Sequence, residues 1–310
     1  MTIAVIGSNM VDLITYIDRM PKEGETLEAP NFEMGCGGKG ANQAVAAAKL
    51  GSKVVMLTKV GDDIFGDGTI HNLQSYGIDT RFVEKVPDTS SGVAPIFVDR
   101  SSKNSILIVK GANQKLTSAD IEQAADELKN CALIVVQLEI PLKTVYAAIH
   151  FGTIHHIPII LNPAPAVNTL ELERIRHVDY FMPNESELEI LTGLPTQTAD
   201  QARKAAKSLI EQGMKNVIVT LGDGGSLWVT ENQAQYIPAY SVQAIDTTGA
   251  GDAFIGCFAH YLDEQKDVAV ALRKATAFAA LSVTRKGTQV SYPSNEELQT
   301  FLKTERALTK

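Results

Sequence analysis

Cysteine is scarce in this chain: Cys36, Cys131 and Cys257 are the only three among 310 residues, and none stands in C-x-x-C spacing. An odd, scattered set argues against a disulfide framework or a structural zinc site and fits a reducing compartment, so a cytoplasmic location is expected. Excess positive charge is also missing, because 28 Lys and Arg against 36 Asp and Glu leave a formal net charge of -8. Nothing general attracts nucleic acid or an anionic membrane surface, so any anionic ligand must be held by local geometry. Apolar runs such as "CALIVVQLEI" are too short to cross a bilayer, and the opening "MTIAVIG" lacks the basic segment and cleavage pattern of a secretory signal. The expected partner is a small molecule, not nucleic acid or a membrane.

What the chain does have is a 45% hydrophobic content, enough for one large domain around a sizeable core. Short apolar runs recur at "IAVIG", "VVMLTKVG", "LIVVQLE", "IPIILNPAP", "YFMPNESE" and "VIVTLG". Helical stretches such as "GANQAVAAAKLG" and "TADQARKAAKSLIEQG" alternate with them. This rhythm predicts an α/β fold, a mostly parallel central sheet flanked by helices on both faces, with ligands at the strand C-termini. Residues 13–35 and 90–110 break the rhythm by alternating apolar and polar residues around turn chemistry. They are expected to meet as a small β-sheet lid inserted in a single domain, 1–310; two unrelated surface hairpins are the alternative.

Two glycine-rich stretches carry the chemistry. "GCGGKGANQA" (35–44) satisfies G-x-G-x-x-G through Gly35, Gly37 and Gly40, but no buried strand precedes it directly, and Lys39 is followed by Gly40 where a Walker A loop has Ser or Thr. Its better reading is a close backbone approach to a polar ligand at Gly37 and Gly38, with Lys39 and Asn42 offering donors to hydroxyls. Read blandly, it is a glycine-rich helix entry with a solvated lysine. In "TTGAGDAF" (247–254), Gly249, Ala250 and Gly251 are small enough to line up free amides at a helix entrance, an anion hole for a transferring phosphoryl group. Asp252 beside them would repel a phosphate that was merely bound. It makes sense as the base that takes a proton from an attacking hydroxyl, although an acid in a first helical turn also complements the helix dipole.

These two motifs, joined by "LNPAPA" and "PNESELEILTG", resemble over nearly the whole chain the signatures of the ribokinase family, the carbohydrate kinases of the phosphofructokinase B type. The resemblance implies Asp252 as general base with the Ala250 and Gly251 amides as anion hole, and Asp12, Gly38, Lys39, Gly40, Asn42 and Glu139 around the sugar. It implies Asn184 and Glu187 near the ATP phosphates and the water shell of Mg²⁺, and Thr220, Gly222, Gly225, Gly251 and Thr276 around the nucleotide. It further implies a K⁺ site from Asp246, Thr248, Ser282, Arg285, Gly287 and Ser291, mostly through backbone oxygens, and a homodimer formed through the lid.

Where ribokinases typically read Ser-x-Asn-x-Asp at the end of the first strand, this chain reads Ser8-Asn9-Met10-Val11-Asp12. Residues two apart in extended chain share a face, so Met10 accompanies Asp12 toward the sugar while Asn9 points elsewhere. A thioether there removes a partner from one sugar hydroxyl, which favours 2-deoxy-D-ribose; Met10 packing under the lid of an enzyme acting mainly on ribose is the alternative. The expected activity is phosphorylation of the pentose 5-hydroxyl by ATP. The rival readings are another sugar or nucleoside kinase of the family, an NAD-dependent dehydrogenase and a sugar-binding regulator.

Overall fold

The computed structural model describes residues 2–100 and 104–308. In chain order its strands are β1 (Thr2–Ile6), β2 (Met10–Tyr16), β3 (Asn31–Gly37), β4 (Lys53–Gly61), β5 (Asp79–Val86), β6 (Val93–Val98) and β7 (Asn104–Ile106). There follow β8 (Cys131–Gln137), β9 (Ile159–Asn162), β10 (Tyr180–Phe181), β11 (Val217–Thr220), β12 (Gly225–Val229) and β13 (Ala234–Pro238). Nine of them form one sheet in the order β13-β12-β11-β10-β9-β8-β1-β4-β5. It is parallel from β5 across to β11, and β12 and β13 finish it as an antiparallel edge.

The interior follows from the two-residue strand period. Ala4, Ile6, Val55, Leu57, Ile134 and Val136 belong to one buried cluster, whereas Ile3, Val5, Val54, Met56, Leu133 and Val135 belong to a second. Alternate side chains of β1, β4 and β8 thus face opposite layers, which is why these runs are apolar without a break. The helices Leu142–Ile154 and Ala199–Glu211 cover the first face. Lys39–Lys49, Ala250–Gln265 and Val268–Ser282 cover the second.

The alternating stretches build a second, four-stranded sheet in the order β3-β2-β6-β7. Neighbours run antiparallel except the parallel central pair β2 and β6. Its strands start earlier than the alternation indicates, at Met10, and β3 runs on to Gly37; residues 101–103 of the second stretch lie outside the described residues. Asp12 is therefore not at the end of the first strand. The chain leaves the main sheet after Ile6, and Asp12 rides on the lid strand β2. The crossing is pinned by Asn9, fully buried, whose Nδ2 donates to Thr58 Oγ1 and to Lys59 O, each at 2.8 Å, while its backbone N–H donates to Asn113 Oδ1 at 3.0 Å. "YFMPNESE" also yields less strand than its apolar start indicates: β10 ends at Phe181, and a helix runs from Glu185 to Thr192.

Candidate active site

The helix Ala250–Gln265 starts from Gly249, which stands at φ 73°. A side chain there would suffer twice, from the left-handed backbone and from a β-carbon placed 2.3 Å from Thr288 Cγ2. The turn leaves Asp252 in the first helical turn, 7% exposed, with an amide donor on each carboxylate oxygen. Asn42 Nδ2 donates to Oδ2 and Gln43 Nε2 to Oδ1, both at 2.9 Å. Behind Asn42, Gln289 Nε2 donates to its Oδ1 at 3.0 Å, and Asn72 Nδ2 donates to Gln289 Oε1 at 2.7 Å. Of the three backbone groups expected to form the anion hole, Gly251 lies open, with nothing within 4 Å of a β-carbon built on it. The Ala250 N–H makes a long 3.3 Å bond back to Thr247 O.

Around this acid the structure gathers the residues expected near the sugar. Glu139, buried, accepts the Lys39 backbone N–H at 3.0 Å and the Ser8 hydroxyl. Asp12 reaches into the same region, with Gly37 on the neighbouring strand leaving room for its carboxylate. Burial, together with the charges of Glu139 and Asp252, pushes the Asp12 pKa up to about 7. For Lys39, burial pulls the pKa down but the carboxylates of Asp252, Glu139 and Glu187 outweigh it, so the net shift is upward. The expected residues are not all equally open. A β-carbon at Gly38 would strike the Asn9 and Met10 backbone, and one at Gly40 the backbone of Gly7 and Ser8, so neither position has room for a side chain. Met10, 2% exposed, packs against Ala94 and Ile96.

A cavity of about 750 Å³ is lined in part by Ala250 and Gly251 of the turn. Asn184, Thr220, Gly222, Gly225, Gly251 and Thr276, all expected around a nucleotide, line it. Asn184 and Glu187 form a capping box on the helix Glu185–Thr192: Asn184 N–H donates to Glu187 Oε2 at 2.9 Å, and Glu187 N–H to Asn184 Oδ1 at 2.8 Å. Burial raises the Glu187 pKa against the lowering effects of the Asn184 N–H and Lys39, with Asp252 adding to the rise. Thr276 spends its hydroxyl within its own helix, on Leu272 O at 2.9 Å, so it offers the cavity little hydrogen-bonding capacity.

Residues expected at a monovalent cation meet through Asp246. Its Oδ1 accepts Thr248 N–H and its Oδ2 accepts Gly287 N–H, each at 2.9 Å, tying the two segments together. Ser282 Oγ donates to Ala279 O, Ser291 Oγ donates to Thr288 O, and Arg285 pairs with Glu297. Those three side chains are committed elsewhere, and the Ser282 carbonyl also accepts the Arg285 N–H at 3.4 Å. The segment bears directly on the glycine turn, because Tyr292 OH donates to Gly249 O at 3.1 Å.

Sequence reasoning missed Gln43, Gln137, Asn162 and Gln289, the amides behind Asp252. Gln43 stands inside the quoted "GANQA", one place after Asn42, and a polar side chain in an otherwise alanine-rich buried helix face was a usable signal.

A buried acid beside a glycine turn, close to the carboxylates of Asp12 and Glu139 and next to a cavity at the strand ends, is the arrangement of a sugar kinase. Residues 2–295 match the model of the pfkB family carbohydrate kinases, and the chain belongs to that family. It is 64% identical over 302 residues to the deoxyribokinase of Salmonella typhi, covering 97% of this chain and 99% of that one. It is 42% identical to the ribokinase of Bacillus subtilis, over 97% of this chain and 99% of that one. Among solved structures, Arabidopsis thaliana ribokinase complexed with ribose and ATP superposes with a TM-score of 0.91 at 32% identity, covering 97% of this chain and 98% of that one.

Proposed function

We propose that the protein transfers the γ-phosphoryl group of ATP to O5 of a pentose, with 2-deoxy-D-ribose favoured. The observation that carries this reading is Asp252, buried beside the glycine turn with both oxygens oriented by neutral amides. Asp252 accepts the O5 proton as O5 attacks the γ-phosphorus; the bond to the β,γ-bridging oxygen breaks, and ADP leaves with its electron pair. The Gly249–Gly251 turn presents N–H groups at a helix start, where charge on the transferring group is best met. Asp12, Asn42 and Glu139 supply acceptors and a donor for the sugar hydroxyls, and Lys39 tempers the repulsion among the acids. The lid sheet closes over the sugar and excludes water.

The residues fit the metal that accompanies ATP: Glu187 is a buried carboxylate with one oxygen, Oε1, outside the capping box, suited to hold Mg²⁺ through water. Bound there, Mg²⁺ would neutralise phosphate charge. Asp246 fits a K⁺ site in which it gathers the 246–248 and 282–291 segments around the ion, away from the substrate. A homodimer through the lid is supported by Phe32 and Met34, 54% and 62% exposed on β3. Three free cysteines support a cytoplasmic location. Among the described residues no helix is long and apolar enough to cross a membrane.

One observation favours a second reading, in which ribose is the main substrate: Met10 is packed against Ala94 and Ile96 and so has a structural task of its own. A coupled assay of ADP release over ribose, 2-deoxyribose, fructose and adenosine tests both. Highest kcat/KM on 2-deoxyribose is the expected result, and no sugar-dependent ADP release would overturn the kinase reading.

A further inference from the structure

The side-chain amide of Gln43 is gripped at both ends. Its Nε2 donates to Asp252 Oδ1 at 2.9 Å and to Asn162 Oδ1 at 3.2 Å, and its Oε1 accepts from Gln137 Nε2 at 2.7 Å. Gln137 and Asn162 are register partners at the last positions of the neighbouring strands β8 and β9, so their amides stand side by side as a fork. Asn162 is itself oriented, because its Nδ2 donates to Met182 O at 2.9 Å. Gln43, Gln137 and Asn162 are all buried, and Gln43, at 1% exposure, presents no surface to a ligand.

Only one orientation of Gln43 satisfies this arrangement. Turned over, its carbonyl oxygen would face two acceptors, on Asp252 and Asn162, and its NH₂ would face the NH₂ of Gln137. The fork also carries a cost that packing alone would avoid: Gln137 Oε1 is buried without a hydrogen-bond partner among the described residues. A methionine would fill that space with no orphaned oxygen, so the amide is retained for what its other end does.

We propose that Gln43, locked by the Gln137–Asn162 fork, is a positioning residue that fixes the Asp252 carboxylate for proton removal from the sugar. The inference rests on Asp252 acting as the base. With Asn42 on Oδ2 and Gln43 on Oδ1, each oxygen has one neutral donor, which sets the carboxylate plane while leaving lone pairs for the attacking hydroxyl. Neutral donors do this without the ion pair that an ammonium or guanidinium would form.

The test is a cycle of Gln43→Met, Gln137→Met and the double variant, each assayed for kcat and KM with 2-deoxyribose and ribose at saturating ATP, with Asp252→Asn alongside. A donor to a charged group is expected to matter by about 10- to 100-fold in kcat for Gln43→Met, with KM for the sugar within about twofold. Gln137→Met should lower kcat in the same direction while keeping or raising Tm, since it removes the orphaned oxygen, and the double variant should be no worse than Gln43→Met. Gln137→Met carries the test if Gln43→Met does not fold. Unchanged kcat, multiplying losses or a change in KM alone would overturn the inference. Loss of activity in Asp252→Asn with full activity in the glutamine variants sinks this inference only; an active Asp252→Asn sinks the reading beneath it.

Discussion

Gly256 and Gln43 set the distance between the two helices that make the site: a β-carbon at Gly256 would lie 2.4 Å from the Gln43 carbonyl oxygen and 2.5 Å from Ala46 Cβ. Gly256 stands one turn beyond Asp252, so this close approach is what lets Asn42 and Gln43 reach its carboxylate. Gly256→Ala must push the helices apart. It is expected to cost about 1–3 kcal/mol of stability by overpacking, and also to lower kcat by stretching both amide contacts. Thermal unfolding and steady-state kinetics check this; a variant that loses Tm but keeps kcat would show that the spacing serves stability only.

Asp12 gives a pH prediction. With its pKa raised from 3.8 to about 7, the folded protein without sugar holds a proton there that the unfolded chain has released. The stability tied to that proton is fully present below pH 3.8 and is lost as pH rises through about 7. Relative to the parent, Asp12→Asn should therefore gain Tm progressively toward pH 8, while binding sugar more weakly. A Tm difference that is flat or falls with pH contradicts the assignment.

Met10 gives a specificity prediction. Met10→Asn restores an amide where the chain has a thioether, and the ratio of kcat/KM for ribose over 2-deoxyribose should rise by about 5- to 150-fold, the worth of one buried hydrogen bond. An unchanged ratio would mean that Met10 serves only its contacts with Ala94 and Ile96.

Asp246 links the two segments of the proposed cation site to the glycine turn through Gly287 and the Tyr292–Gly249 contact. Replacing K⁺ by tetramethylammonium at equal ionic strength should lower kcat about fivefold or more with sugar KM little changed. Asp246→Asn, able to accept with one oxygen only, should blunt that dependence. Equal rates of the parent in both salts would remove the cation from the account.

The fold was legible where one physical rule dominated. Runs such as "LIVVQLE" are apolar at every position because both faces of β8 are buried, and the alternation around Leu13 and Ile96 marked a half-exposed sheet. The glycine turn and its acid could be placed at a helix entrance because small residues stand directly before an apolar helical pattern, although an acid in a first helical turn also complements the helix dipole. What was hidden depends on register. Gln137 and Asn162 lie 25 positions apart and become neighbours only when β8 and β9 pair, and the move of Asp12 onto the lid follows from buried Asn9 contacts with β4 that no local pattern announces. "NESE" read as an acidic helix start and is one, with Asn184, at the wall of the cavity, and Glu187 capping each other.

Asp252 is proposed to remove a proton from the sugar as the phosphoryl group moves. Single-turnover transfer from ATP to 2-deoxyribose by Asp252→Asn, with calorimetric binding of each ligand measured separately, tests it most directly. A fall in the transfer rate of about 100-fold or more is expected, with both ligands still bound. Transfer within about threefold of the parent rate would contradict it.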